Sequence, residues 1–162
     1  MTAAGAQAAS PPPRALIRTF WFLHRAIYRI SGGRIGVTRA KAGARFGMMR
    51  IETIGRRSGQ RRMTMIGYYP DGENLVTLAM NGWADADPAW WLNLQSHPET
   101  TVDLPDGRRR VRARAASGPE RERLWATFRQ YPGWGDDIDA LSAGRPRETA
   151  VVVFEPIRGG MS

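Results

Sequence analysis

The sequence predicts an α+β domain built on a small antiparallel barrel or sheet, and three observations predict it. From residue 46 onward the apolar residues recur with a period of two, in short runs separated by Pro-Asp-Gly and Gly-rich turns, the mark of antiparallel strands. Two stretches inside that region instead carry helix start and stop signals. The chain has 162 residues, the size of one ordinary domain and long enough to bury a core.

Along the chain, residues 1–13, "MTAAGAQAASPPP", are small and Ala-rich and end in three prolines. They lack the basic start and continuous apolar stretch of a secretory signal, so a disordered lead-in and a cytoplasmic protein are expected. Residues 14–33 form an expected amphipathic helix, bounded by Pro13 and Gly32-Gly33. Leu16, Phe20, Leu23, Ile27 and Ile30 lie on one stripe at helical spacing, and Arg14, Arg18, Arg25 and Arg29 lie opposite. Such a helix packs on a domain with its arginines in water, or lies on an anionic membrane surface. Packing is the expectation, with peripheral contact at the inner face of the cell membrane as a secondary role.

Residues 34–158 are expected to form the barrel domain. "FGMMRIETIG" and "MTMIGYYP" read as strands joined by an arginine-rich loop, and "ENLVTLAM" follows the turn Pro70-Asp71-Gly72. "DPAWWLNLQSHP" reads as a short helix with Asp87 as N-cap, Pro88 at the first helical position and Pro98 beyond its end. "TTVDL" and "RRVRARAAS" make a hairpin across Pro105-Asp106-Gly107, with Arg108, Arg110, Arg112 and Arg114 alternating onto one face. A second helix runs from about Pro119 to Gln130, and "TAVVVFEP" closes the domain as a buried strand.

Composition narrows the chemistry. There are 24 basic residues against 15 acidic ones, a formal charge of +9, and every basic residue except Lys41 is arginine. Arginine is the better bidentate partner for phosphate and carboxylate. The absence of cysteine excludes disulfides, thiol catalysis and thiolate metal sites. With only His24 and His97, neither in a motif, no metal site and no serine–histidine triad is expected. The arginine strand raises a nucleic-acid binder as one class, but its charges alternate with core residues and no nucleic-acid partner is expected.

Four arginines, two glycines and a serine are packed into "TIGRRSGQRR", residues 53–62, between two apolar segments. A glycine-bounded loop between strands exposes backbone N–H groups, and such nests bind anions. Arg56, Arg57, Arg61 and Arg62 supply counter-charge and Ser58 a hydroxyl. The loop lacks the Gly-Lys-Ser/Thr of a P-loop, and no GxGxxG follows a strand. A phosphate or carboxylate ligand and a plain solvated hairpin tip both fit this spacing.

"GRRSGQRR", then "DGENLVTLA", an "NG", "DPAWWLNLQSHP" and the closing "ETAVVVFEP" together resemble the deazaflavin-dependent nitroreductase family of actinobacteria, from about Phe20 to Pro156. The resemblance implies a split β-barrel related to flavin-binding pyridoxamine-oxidase-like proteins. It implies the cofactor 8-hydroxy-5-deazaflavin (coenzyme F-420), whose tail carries a phosphodiester and several glutamates; flavin mononucleotide is the less expected cofactor. Arg57, Ser58 and Arg62 match the family's tail-binding pattern Gly-Arg-Lys/Arg-Ser/Thr-Gly-x-x-Arg, with Arg56 and Gly59 completing the loop. Asn93 matches the asparagine of its Trp-x-x-Asn-Leu segment beside the cofactor, and Trp90 the tryptophan of that segment. The plain alternative for Trp90, Trp91 and Leu94 is core burial of an amphipathic helix.

This chain has Met80, Asn81, Gly82 and Trp83 where well-known members have Ser-Lys-Gly-Gly. The serine there is thought to help protonate the substrate, and methionine cannot. The C-terminal tyrosine cluster is reduced to Tyr131, the candidate proton donor, and Trp134. The implied activity is hydride transfer to a small electron-poor acceptor such as a quinone, an enone or a nitroaromatic, by a monomer or homodimer. The alternative is a lipid- or fatty-acid-binding protein on the same barrel with altered or lost redox chemistry, suggested by Met63, Met65 and Met80.

Overall fold

The structure, a computed structural model, describes residues 36–134 and 137–158. The expected lead-in and N-terminal helix lie outside the described residues. Six strands are defined: β1 (Gly47–Ile54), β2 (Arg61–Asp71), β3 (Asn74–Leu78), β4 (Glu99–Leu104), β5 (Gly107–Ala115) and β6 (Val151–Pro156). They pair antiparallel and close a barrel in the order β1-β2-β3-β6-β5-β4. Helix α1 (Ala89–Ser96) enters between β3 and β4, while α2 (Gly118–Thr127), a 3-10 turn (Phe128–Gln130) and α3 (Ile138–Ala143) lie between β5 and β6.

The period-two pattern becomes two separate apolar layers. Met49, Ile51, Ile66, Val102, Val111, Val152 and Phe154 point into the barrel, where Trp90, Trp91 and Leu94 of α1 join them. Val76, Leu78, Val151 and Val153 point outward and are covered by Leu124, Phe128, Trp134 and Ile138. Both faces of β6 are therefore covered, which explains why its sequence is a continuous apolar run rather than an alternating one. Tyr69 anchors the outer layer: its hydroxyl donates to Leu124 O at 2.8 Å, and Phe128 meets its ring edge-on at 4.7 Å.

The barrel is split on one side. β2 and β3 pair only over Tyr69–Asp71 against Asn74–Val76. Beyond that the Thr77 hydroxyl donates to Gly67 O at 2.7 Å in place of a ladder bond. From Arg61 to Tyr68, β2 has β1 as its strand partner and none on the other side among the described residues.

Three local expectations are corrected. Pro70 and Asp71 belong to β2, and the turn falls on Gly72 (φ 62°) and Glu73. The helix expected from Asp87 begins at Ala89 with Pro88 as its cap residue, and no side chain caps it. The Asp87 carboxylate is engaged instead by Arg145 Nη2 at 3.1 Å. α3 was not expected; its N-cap is Asp137, whose carboxylate accepts from Ala140 N.

The arginine face of β5 is matched by acids. Arg108 donates to Asp103 at 2.8 Å, Arg110 and Arg112 both reach Glu99, and Arg114 bridges Glu120 and Glu155 at 2.7 Å. Burial would raise Asp103, but hydrogen bonds from Arg108 and Arg50 outweigh it and hold the carboxyl below its ordinary 3.8. Hydrogen bonds from Arg114 likewise hold Glu120 below 4.5. Carboxyls lowered in the folded state stabilise it above their unfolded pKa, and that contribution is lost as pH falls through the lowered values. Denaturant midpoints should therefore stay flat from about pH 7 to 5 and fall below about pH 4. In Asp103→Asn the acid fall should be shallower, which denaturation at stepped pH checks.

Candidate functional site

Residues 55–60 close the β1–β2 hairpin. Gly55 N donates to Gln60 O at 2.8 Å and Gly59 N to Gly55 O at 2.7 Å. Gly59 sits at φ 66°, a left-handed conformation that glycine adopts without steric cost. A Cβ on Gly55 would lie 2.6 Å from Ser58 Oγ, so glycine there lets the serine fold across the loop. Ser58 Oγ accepts from Gln60 N at 3.3 Å, which leaves its own proton to donate elsewhere.

The loop is tied to α1 through one buried amide. Arg56 N donates to Asn93 Oδ1 at 3.1 Å, and Asn93 Nδ2 donates to Thr53 Oγ1 at 3.2 Å. Asn93 is 6% exposed, so it spends its side chain on positioning the loop. It projects from the helix whose Trp90, Trp91 and Leu94 fill the barrel, and the loop's height over the barrel is thereby set by the core.

The charges on this hairpin are arranged unlike those on β5. Arg61 faces outward and pairs with Glu52 at 3.3 Å. Arg62 is cross-strand partner to the inward-facing Thr53, and such partners share a face. Arg62 therefore projects on the side of the sheet that carries Thr53. Arg56, Arg57 and Arg62 are exposed and have no acidic partner among the described residues.

Met80, Asn81 and Gly82 continue from β3 after it has parted from β2. Ala79 N still donates to Ala150 O at 2.9 Å; then Gly82 and Trp83 both turn left-handed, at φ 59° and 61°. For tryptophan that conformation costs on the order of 1–2 kcal/mol, and the Trp83 indole N–H donates to Trp134 O at 3.0 Å. Met80 packs with the outer layer, while Asn81 and Gly82 are exposed. Trp90 is 9% exposed within the barrel core, consistent with the burial reading.

Tyr131 lies in the outer layer, stacked on Tyr69 with centroids 5.1 Å apart, and lines a cleft of about 480 Å3 with Phe128, Pro132 and Trp134. The structure thus joins the arginine loop to Asn93 and puts Met80 and Tyr131 in one layer. Met63 faces outward near the hairpin end of β2 and is 48% exposed, whereas Met80 packs against the outer layer.

Sequence reasoning missed Arg145. Its side chain is 0% exposed and donates to Ala84 O at 2.9 Å, Ala79 O at 3.4 Å, Thr149 Oγ1 at 2.7 Å and Asp87 Oδ1 at 3.1 Å. In "GRPR", among so many arginines, no sequence signal singles it out.

A profile of the F420H(2)-dependent quinone reductase family matches residues 21–156. The chain belongs to that family. An F420H(2)-dependent quinone reductase of Mycobacterium tuberculosis is 32% identical over 105 residues, covering 64% of this chain and 68% of that protein. A second protein of that organism is 30% identical over 106 residues, 65% of this chain and 87% of its own length. A solved F420-H2 dependent reductase superposes with a TM-score of 0.57 at 23% identity, over 67% of this chain and 93% of that one. A domain-swapped dimer superposes with a TM-score of 0.61 at 20% identity, over 85% and 99%, and likewise supports the fold. Family membership makes this quinone-reductase relative an oxidoreductase whose cofactor is coenzyme F-420.

Asn93→Ala should release the Arg56 amide and leave Thr53 without its partner, costing about 1–3 kcal/mol in urea denaturation. Hydrogen exchange of the amides of residues 55–60 should rise with it.

Proposed function

We propose that the free guanidinium groups of the β1–β2 hairpin hold the anionic tail of reduced coenzyme F-420, and that the enzyme passes its hydride to a quinone. The observation that carries this reading is the contrast in charge pairing. The β5 arginines are answered by carboxylates of this chain, whereas Arg56, Arg57 and Arg62 are left for an external anion. A tail of one phosphodiester and several glutamates fits that donor set in sign and in geometry, since arginine grips both groups bidentately. The folded-over Ser58 supplies a hydroxyl donor, and Gly59 lets the loop backbone approach the ligand closely.

When bound, the reduced deazaflavin supplies a hydride to the acceptor. The residues of this chain bind, orient and exclude water, and positioning of this kind is worth several kcal/mol of barrier. Asn93 holds the hairpin at its height above the core. The unpaired side of β2 and the turn at Met80, Asn81 and Gly82 form the two flanks offered to the ring. Met80 has no proton to give, so the Tyr131 hydroxyl or water supplies the proton that completes reduction. The cleft beside Tyr131 is the place offered to the acceptor. A quinone is favoured over an enone or nitroaromatic by the family's description.

Titration of the purified protein with reduced coenzyme F-420, followed by the cofactor's fluorescence, tests the reading. Arg57→Ala and Arg62→Ala should each weaken binding by about 1–3 kcal/mol, with a smaller loss for a cofactor carrying fewer glutamates. Arg112→Ala, which removes an already paired charge, should leave binding within about twofold. Equal losses in all three variants would mean that net charge, not this loop, holds the tail.

A further inference from the structure

We propose that Arg145 is a positioning residue for hydride transfer, acting by clamping both ends of the turn that carries Met80, Asn81 and Gly82. This rests on the reading of the site just given. After Ala79 the chain leaves the sheet. Within residues 80–86 the backbone makes few hydrogen bonds of its own, Met80 N to Leu78 O and Ala84 N to Asn81 O among them. The second of these closes a turn over the two left-handed residues, Gly82 and Trp83, but nothing local fixes where that turn sits against the barrel. One guanidinium does so from outside: Nη1 holds Ala79 O before the turn, and Nε and Nη2 hold Ala84 O and Asp87 after it.

Nη1 also donates to Thr149 Oγ1, itself 0% exposed and hydrogen-bonded to Ser142 Oγ, so the clamp is seated on the segment leading into β6. The planar fork is what the geometry requires. An ammonium on the same stem is a point donor and cannot span carbonyls on both sides of the turn. The Arg145–Asp87 pair also accounts for the uncapped start of α1: Asp87 gives up the helix N-terminus to answer a buried charge. A tether from Trp83 Nε1 to Trp134 O links the same turn to the layer that holds Tyr131.

The test compares Arg145→Lys with wild type and with Leu104→Ala, a core truncation at the far end of β4 that destabilises without touching the turn. Hydrogen exchange by mass spectrometry should rise at least tenfold over residues 80–87 in Arg145→Lys and stay unchanged over residues 55–60. With reduced coenzyme F-420 and a soluble naphthoquinone, kcat should fall about tenfold while cofactor Kd stays within threefold, because the tail is held by the hairpin. Leu104→Ala should lower Tm but keep kcat. Should Arg145→Lys fail to fold, Asp87→Asn removes one anchor of the clamp and should give the same changes at smaller amplitude. Unchanged exchange over residues 80–87, or an equal fall of kcat in Leu104→Ala, overturns the role of Arg145. A wild-type protein that does not bind the reduced cofactor overturns the reading of the site instead, and is recognised before any variant is compared.

Discussion

The early parting of β3 from β2 is the constraint on which the rest of this structure depends. The two strands share a ladder only over Tyr69–Asp71, and Thr77 then bonds Gly67 O with its side chain. β3 stays with β6 instead, over Leu75–Leu78, because both strands carry apolar residues on two faces and need cover on both. The barrel core buries one face, and α2, the 3-10 turn and α3 bury the other. Among the described residues, β2 is left with a length of unpaired edge beside a charged hairpin tip. A sheet edge of this kind invites a partner, and charged side chains are one way to keep a second strand from adding to it. The same charges suit the edge to an anionic ligand.

The parting also creates a problem at the end of β3. A strand that leaves its sheet gives up regular backbone partners, and exposed or buried backbone groups must then be satisfied by other means. Here the carbonyls of Ala79 and Ala84 are satisfied by a buried guanidinium, which is tolerated because Asp87 and Thr149 answer it. The turn holding Met80 is consequently tied at both ends to one side chain rather than to a neighbouring strand. The hairpin tip is held by a different device, the amide of Asn93, so hairpin and turn have separate supports.

Arginine serves three separate ends in this protein. On β5 it pairs with carboxylates across the sheet surface, where each pair contributes about 0–1 kcal/mol and the main effect is to cancel repulsion. At Arg145 it is a buried scaffold. On the hairpin tip Arg56, Arg57 and Arg62 are left without a carboxylate among the described residues. The net charge of the chain does not distinguish these roles, which is why a count of basic residues is a poor guide to where an anion binds.

The alternation of apolar residues by itself determined the strands and an antiparallel barrel or sheet, because a period of two fixes which face of a strand is buried wherever its partner lies; closure into a split barrel was implied only by the family resemblance. The hairpin turns and α1 were legible to within a residue or two for the same local reason. The cluster of arginines, a serine and two glycines in residues 55–62 was legible too, since loop chemistry is written in adjacent positions. Tertiary structure alone decided which arginines are free. Arg114 finds Glu155 and Arg50 finds Asp103 across strands distant in sequence, and no local pattern encodes that distance. It decided that Asp87 turns from capping a helix to pairing with Arg145, since a buried charge outweighs one helix N-terminal amide. It also set Asn93 to holding the loop, and placed Tyr131 on Tyr69 in the outer layer. Each of these outcomes depends on two residues meeting through space, and that meeting is fixed only when the barrel closes.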